Sequence, residues 1–198
     1  MAALTSRGGI VALPTESSFA LCASPFDEQA VQQIFALKGR PDGKPLLVLI
    51  GAVEQVPRLV GVLSPVARDL MTALWPGPLT LVLPAVPTLS TTVTAGTGTI
   101  GVRLPPSEPL RTLLQRTGPL TGTSANRAGE APLHTAADVS TYFPSIDLVV
   151  DLEPTGGAAA STIAAVQQHE IVLLRPGPVT IEQVRAVAKR RGINVRVA

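Results

Sequence analysis

Two short segments hold the side chains best suited to chemistry: Lys38-Gly39-Arg40, and Thr123-Ser124-Ala125-Asn126. Lys38 and Arg40, with Lys44 close behind, make a basic stretch stiffened by Pro41 and Pro45. A guanidinium fork beside an ammonium matches the oxygens of a phosphate or carboxylate. The second segment ends the run Pro119-Leu120 with small residues, hydroxyls and an amide, groups that bind phosphate or ribose where the backbone can be approached. Each segment also has a plainer reading. Cations near a helix C-terminus complement its dipole, and Ser-Ala-Asn before Arg127-Ala128-Gly129 makes an ordinary side-chain-capped turn.

Further polar groups are scattered along the chain. Pro14-Thr15-Glu16-Ser17-Ser18 puts three hydroxyls and a carboxylate in a loop after an apolar run, where a scaffold presents binding groups; as a plain turn it needs only local caps. Arg103 lies in Ile100-Gly101-Val102-Arg103-Leu104-Pro105, an otherwise apolar strand in which an unpaired cation is costly. Its partner is Glu16, Asp151 or Glu153, or else a substrate carboxylate. Ser161-Thr162-Ile163 and Leu174-Arg175-Pro176-Gly177 repeat the pattern of polar groups set in apolar strands. There is no dinucleotide fingerprint and no Gly-Lys-Ser/Thr phosphate loop, and His134 and His169 lack metal-ligand spacing. No local hydrolase motif surrounds a serine or the cysteine. Cys22, between Leu21 and Ala23, reads as a small core residue.

The elements that must position these groups follow from hydrophobic periodicity. Residues 9–13 read as a buried strand stopped by Pro14, and residues 27–37 as a helix with Ala30, Val31, Ile34 and Phe35 on one face. A second strand is expected over 45–50. Ser64-Pro65 opens a helix to about Leu74, with serine as N-cap and proline in the first turn, and Trp75-Pro76-Gly77-Pro78 ends it. Strands are expected near 79–83, 99–104, 120–123, 148–150, 161–165 and 171–174, and helices near 108–115, 135–142 and 181–189. Residues 193–197 alternate as an edge strand would. The strands are not regularly separated by helices, so some neighbours must pair antiparallel. The expected class is α/β, or α+β, with a mixed twisted sheet.

Charge is scarce, at 15% of 198 residues against 45% hydrophobic, so clustered charge is informative and there is apolar material for one core spanning residues 1–198. A formal charge of +2 does not by itself argue for nucleic acid. One cysteine excludes an internal disulfide and points to a reducing cytoplasm. The first residues lack a basic segment followed by a long apolar run, so neither secretion nor membrane insertion is expected.

The ordered series Pro14-Thr15-Glu16-Ser17, Lys38-Gly39-Arg40-Pro41 with Lys44-Pro45-Leu46, Trp75-Pro76-Gly77-Pro78-Leu79-Thr80, Val102-Arg103-Leu104-Pro105, Ser124-Ala125-Asn126 with Gly129, Ser161-Thr162-Ile163 and Leu174-Arg175-Pro176-Gly177 resembles the YrdC-like family, which contains the threonylcarbamoyl-AMP synthases. The resemblance implies a twisted mixed parallel and antiparallel sheet, flanked by helices, around a deep positively charged cleft. It implies a nucleotidyltransferase that joins L-threonine, bicarbonate and ATP into threonylcarbamoyl-adenylate and pyrophosphate for tRNA modification. It places Lys38 and Arg40 at the reacting phosphates, and Lys38, Arg40, Lys44, Thr123, Ser124, Asn126, Ser161 and Arg175 around ATP, with Mg2+ carried by the nucleotide and no metal site in the protein. Thr15, Ser17, Arg103 and Ser161 fall around the threonine. Further implied partners are tRNA and the proteins that transfer the threonylcarbamoyl group. The chain departs from the family pattern at Phe19 and Ala20, where tyrosine and glycine are usual, and at Leu49, where histidine is frequent. These departures give the alternative: a non-synthase relative that binds nucleotide or double-stranded RNA.

Overall fold

A computed structural model describes residues 1–39, 45–151 and 158–198. The strands are β1 (Val11–Pro14), β2 (Phe19–Cys22), β3 (Leu47–Leu49), β4 (Leu79–Pro84), β5 (Thr99–Arg103), β6 (Leu120–Ser124), β7 (Leu148–Val149), β8 (Thr162–Val166), β9 (Glu170–Arg175) and β10 (Asn194–Val197). They form one sheet in the order β10-β9-β8-β4-β5-β3-β6-β2-β1-β7. Parallel pairs such as β3–β5 and β4–β8 alternate with antiparallel ones such as β4–β5 and β3–β6. The sheet is therefore mixed, as the irregular spacing of helices requires, and β10 lies at its edge.

The helices are α1 (Ala2–Thr5), α2 (Glu28–Lys38), α3 (Pro65–Leu74), α4 (Thr91–Thr94), α5 (Glu108–Thr117), α6 (Ala136–Tyr142) and α7 (Ile181–Ala188). Their starts are written in the sequence. Asp27, Ser64, Ser107 and Thr135 each accept a backbone N–H three residues on, and Thr180 forms a reciprocal capping box with Gln183. Gly39 ends α2 at φ 54, a left-handed cap that a side chain would strain.

Three apolar clusters cover the sheet. Leu70, Met71 and Val184 of α3 and α7 pack with Leu79, Leu81, Ile100, Val102, Ala164 and Ile171 on one face. Leu110 and Leu114 of α5 pack against Val11, Leu13, Ala20, Cys22, Leu49 and Leu120. Ala30, Ile34 and Val139 pack with Ile10, Ala12, Phe19, Leu21 and Phe143. Helix α2 joins two of these clusters, since its Val31 and Phe35 belong to the first.

Three elements depart from the sequence-based expectation. Helices α1 and α4, of four residues each, are too short for any periodicity to emerge. Strand β2 is the consequential one. Phe19-Ala20-Leu21-Cys22 has no polar alternation because both of its faces are buried, so it reads as apolar chain leading into α2. It pairs antiparallel with β1, with Pro14 opposite Phe19. Thr15–Ser18 is thus the tip of a β-hairpin, and Pro14 completes β1 instead of stopping it. Among the described residues no helix is long and apolar enough to cross a membrane.

Candidate functional site

Lys38 closes α2 with its side chain turned inward; the residue is only 4% exposed. Its Nζ donates to the carbonyl oxygens of Ser124 and, at 2.8 Å, of Asn126. Its own carbonyl accepts from Ala128 N at 2.9 Å. One lysine thus pins the segment after β6, and the two motifs, some eighty residues apart, become a single cluster. The Asn126 amide nitrogen donates to the carbonyls of Arg127 and Glu130, at 2.8 and 3.0 Å. Thr123 is buried on β6 opposite Leu21, and Ser124, half-buried, lies opposite Ala20. Arg40 and Lys44, read from the sequence as phosphate ligands, lie outside the described residues.

A second cluster forms around Arg103, the last residue of β5. On that strand Val102 enters the core, so Arg103 and Gly101 face the other way. Arg103 Nε donates to Gly77 O at 3.1 Å, and Nη2 is ion-paired with Glu16 Oε1. Of the three carboxylates considered from the sequence, Glu16 is the partner; Asp151 is exposed, and Glu153 lies outside the described residues. Arg175, at the end of β9, donates through Nε and Nη2 to Ser161 O, at 3.1 and 2.8 Å, and through Nη2 to Ser161 Oγ at 3.2 Å. The Ser161 hydroxyl also meets Thr80 Oγ1 at 2.9 Å. Burial, and then the neighbouring Arg103 guanidinium, hold Arg175 below the usual arginine range. Arg103 is thus paired with Glu16, whereas Arg175 has no carboxylate partner among the described residues, which suits it to an anionic ligand.

The hairpin tip joins the clusters. Glu16 belongs to the β1–β2 turn, and from β5 to β2 the sheet order has three steps, about 14 Å if the sheet were flat. Direct contact of Glu16 with Arg103 means that the twisted sheet brings the tip over the end of β5. The same tip meets the approach to β8, where Ala158 N donates to Glu16 O at 3.2 Å. On its other side, β2 lies against the Ser124 end of β6, and Ala125 N donates to Phe19 O at 2.8 Å. Thr15 shapes the turn: its hydroxyl donates to Ser18 O at 2.6 Å and accepts from Ser18 N at 3.3 Å. The turn reading of this loop therefore holds for Thr15, while the half-buried Ser17 hydroxyl sits 3.3 Å from Thr15 Oγ1.

Glycines in the recognised motifs have steric reasons. A Cβ on Gly177 would stand 2.5 Å from Thr162 N and 2.6 Å from Ala160 O, so only glycine lets the chain after Arg175 pass beside Ser161. A Cβ on Gly77 would meet Leu74 O at 2.4 Å. Of the three departures from the family pattern, Ala20 lies opposite Ser124 and Leu49 opposite Arg103 on neighbouring strands. Phe19 packs with Ile34, Val139 and Phe143, while Ala20 and Leu49 pack around α5. Sequence reasoning passed over Thr80 as a site residue, although it is the one polar side chain between the core residues Leu79 and Leu81 of β4. Among the described residues no group of three or more histidine, cysteine or acidic side chains could hold a metal ion.

The Sua5/YciO/YrdC family model, described as telomere recombination, matches residues 3–177. The chain is 39% identical over 192 residues to a threonylcarbamoyl-AMP synthase of Bacillus subtilis (strain 168), covering 94% of this chain and 55% of that protein. It is 42% identical over 161 residues to a threonylcarbamoyl-AMP synthase of Idiomarina loihiensis, covering 79% of this chain and 86% of that one. The crystal structure of Pyrococcus abyssi Sua5 complexed with L-threonine superposes with a TM-score of 0.89 at 34% identity, over 98% of this chain and 57% of its own. The chain thus spans about half the length of the Bacillus and Pyrococcus relatives.

Proposed function

Because the chain belongs to the Sua5/YciO/YrdC family, we propose that it is a threonylcarbamoyl-AMP synthase, joining L-threonine, bicarbonate and ATP into threonylcarbamoyl-adenylate with release of pyrophosphate. The observation that carries this reading is the joining of two polar clusters by one hairpin tip: Lys38 with Ser124 and Asn126 on one side, Arg103 and Arg175 with Ser161 on the other. ATP needs cations and backbone donors, and falls to Lys38, Arg40, Lys44, Thr123, Ser124, Asn126, Ser161 and Arg175. An amino acid carboxylate needs one firmly held guanidinium, and falls to Arg103, with Ser161, Thr15 and Ser17 around it.

The reaction asks little covalent chemistry of the protein. Threonine nitrogen, as the free amine, captures bicarbonate with loss of water, or carbon dioxide with loss of a proton, to give a carbamate, whose oxygen attacks the α-phosphorus of ATP, with pyrophosphate leaving in line. Lys38 and Arg40 stabilise the charge that develops on the phosphates, and Mg2+ arrives with the nucleotide. Holding the carbamate and the phosphate in register supplies much of the acceleration. The product serves tRNA modification in the cytoplasm, through transfer proteins that use it as donor, and residues 1–198 act as one domain.

The departures at Ala20 and Leu49 lie beside Ser124 and Arg103 on neighbouring strands, and they favour the second reading, a non-synthase relative that binds nucleotide or double-stranded RNA. The test is pyrophosphate release measured with each substrate omitted in turn. Release that requires L-threonine, bicarbonate and ATP together is the expected result; release indifferent to threonine overturns the reading.

A further inference from the structure

Among the described residues, two buried side-chain oxygens lack a hydrogen-bond partner, Glu16 Oε2 and Asn126 Oδ1, and both belong to the candidate site. Buried polar atoms are nearly always satisfied, so each exception calls for a reason. Asn126 Oδ1 is a neutral acceptor in the Lys38 cluster. Glu16 Oε2 differs, because it is half of a carboxylate whose other oxygen is held by Arg103, in a residue only 7% exposed. One guanidinium and one carboxylate share this corner. A nucleotide phosphate would be repelled by the carboxylate. An α-amino acid, anionic at one end and a donor of N–H bonds at the other, matches both groups.

We infer that Glu16 Oε2 accepts a hydrogen bond from the α-amine of the amino acid and so selects amino acids over their deaminated analogues, an assignment that rests on the synthase reading above. Arg103 holds the carboxylate end, and Glu16 acts twice, fixing Arg103 through Oε1 and reading the amine through Oε2. The second role separates it from a purely structural counter-charge. Loss of Arg103 placement weakens every ligand with a carboxylate. Loss of the amine contact weakens only ligands that carry an amine.

The test is calorimetry on the full chain with a non-hydrolysable ATP analogue present, titrating L-threonine and (R)-3-hydroxybutyrate, which keeps the carboxylate and hydroxyl but lacks the amine. The unaltered protein is expected to prefer threonine, and Glu16→Gln to reduce that preference about 10- to 100-fold, the factor of one hydrogen bond to a charged group. If Glu16→Gln weakens both ligands by the same factor, the inference fails. In that case threonine-dependent pyrophosphate release by the unaltered protein would leave the synthase reading standing. Absence of threonine binding by the unaltered protein, together with threonine-independent pyrophosphate release, overturns both. Should Glu16→Gln not fold, judged by its thermal melt, Glu16→Asp keeps the charge but withdraws it by one methylene. A drop in preference of several-fold is then expected, and an unchanged preference counts against the inference.

Discussion

Replacing Arg103 by alanine would strand the Glu16 carboxylate, charged, in a dry corner. Breaking a buried pair by removing one partner costs about 3–5 kcal/mol, much more than the pair itself contributes, because both ions were already desolvated. Arg103→Ala is therefore expected to lower unfolding stability by that order in a denaturant titration. A double replacement, Arg103→Met with Glu16→Leu, should recover much of the loss while abolishing the threonine response. Arg175 presents the opposite case. Its hydrogen bonds run to Ser161, and it has no carboxylate partner among the described residues. Arg175→Ala is expected to leave stability within about 1 kcal/mol, the worth of an ordinary hydrogen bond, and to weaken ligand binding, read as a rise in KM for ATP.

At the scale of elements, the junction of β8, β9 and α7 is held by Thr162, whose buried hydroxyl donates to Val179 O at 2.7 Å and accepts from Val179 N at 3.0 Å. Thr162→Val keeps the shape and strands both backbone groups, so a loss of about 1–3 kcal/mol is expected, with the denaturant m-value unchanged. The hairpin makes a different prediction. Cys22 on β2 is fully buried, and burial pushes its thiol well above the usual range. Native protein should react with a thiol reagent at least about 100-fold more slowly than unfolded protein, if reaction requires opening of the hairpin. The longer helices were legible because their starts are coded locally, as at Ser64-Pro65 and Thr180. Strand β2 was not, because a short strand buried on both faces carries no period, and its pairing with β1 and β6 is a tertiary fact. The same limit applied to the site. Glu16 was one of three candidates for Arg103, and only the curl of the sheet decides between them.

The whole molecule draws its stability from the apolar clusters and little from surface charge. Asp69 and Glu170 are paired with Arg191 and Arg196 in exposed bridges, and hydrogen bonds from those arginines hold both carboxyls below their ordinary range. A depressed folded value means that any stabilisation is complete above the unfolded value and is lost as pH falls through the folded one. At neutral pH and physiological salt the pairs are screened. Asp69→Asn should therefore leave the melting midpoint unchanged there, whereas Leu70→Ala, in the cluster between α3 and the sheet, should cost about 2–5 kcal/mol.

The hairpin tip couples what it joins. Thr15–Ser18 carries the carboxylate that holds Arg103, while the strand leaving the tip is bonded to the end of β6 beside Asn126. A ligand that orders one side of so small a turn lowers the entropy still to be lost on the other, which is a source of positive cooperativity without a change of shape. Linkage then fixes a symmetry: the factor by which ATP tightens threonine must equal the factor by which threonine tightens ATP. Equal factors greater than one, measured from both directions, would make this four-residue turn a thermodynamic relay between two substrates that must meet before either is consumed.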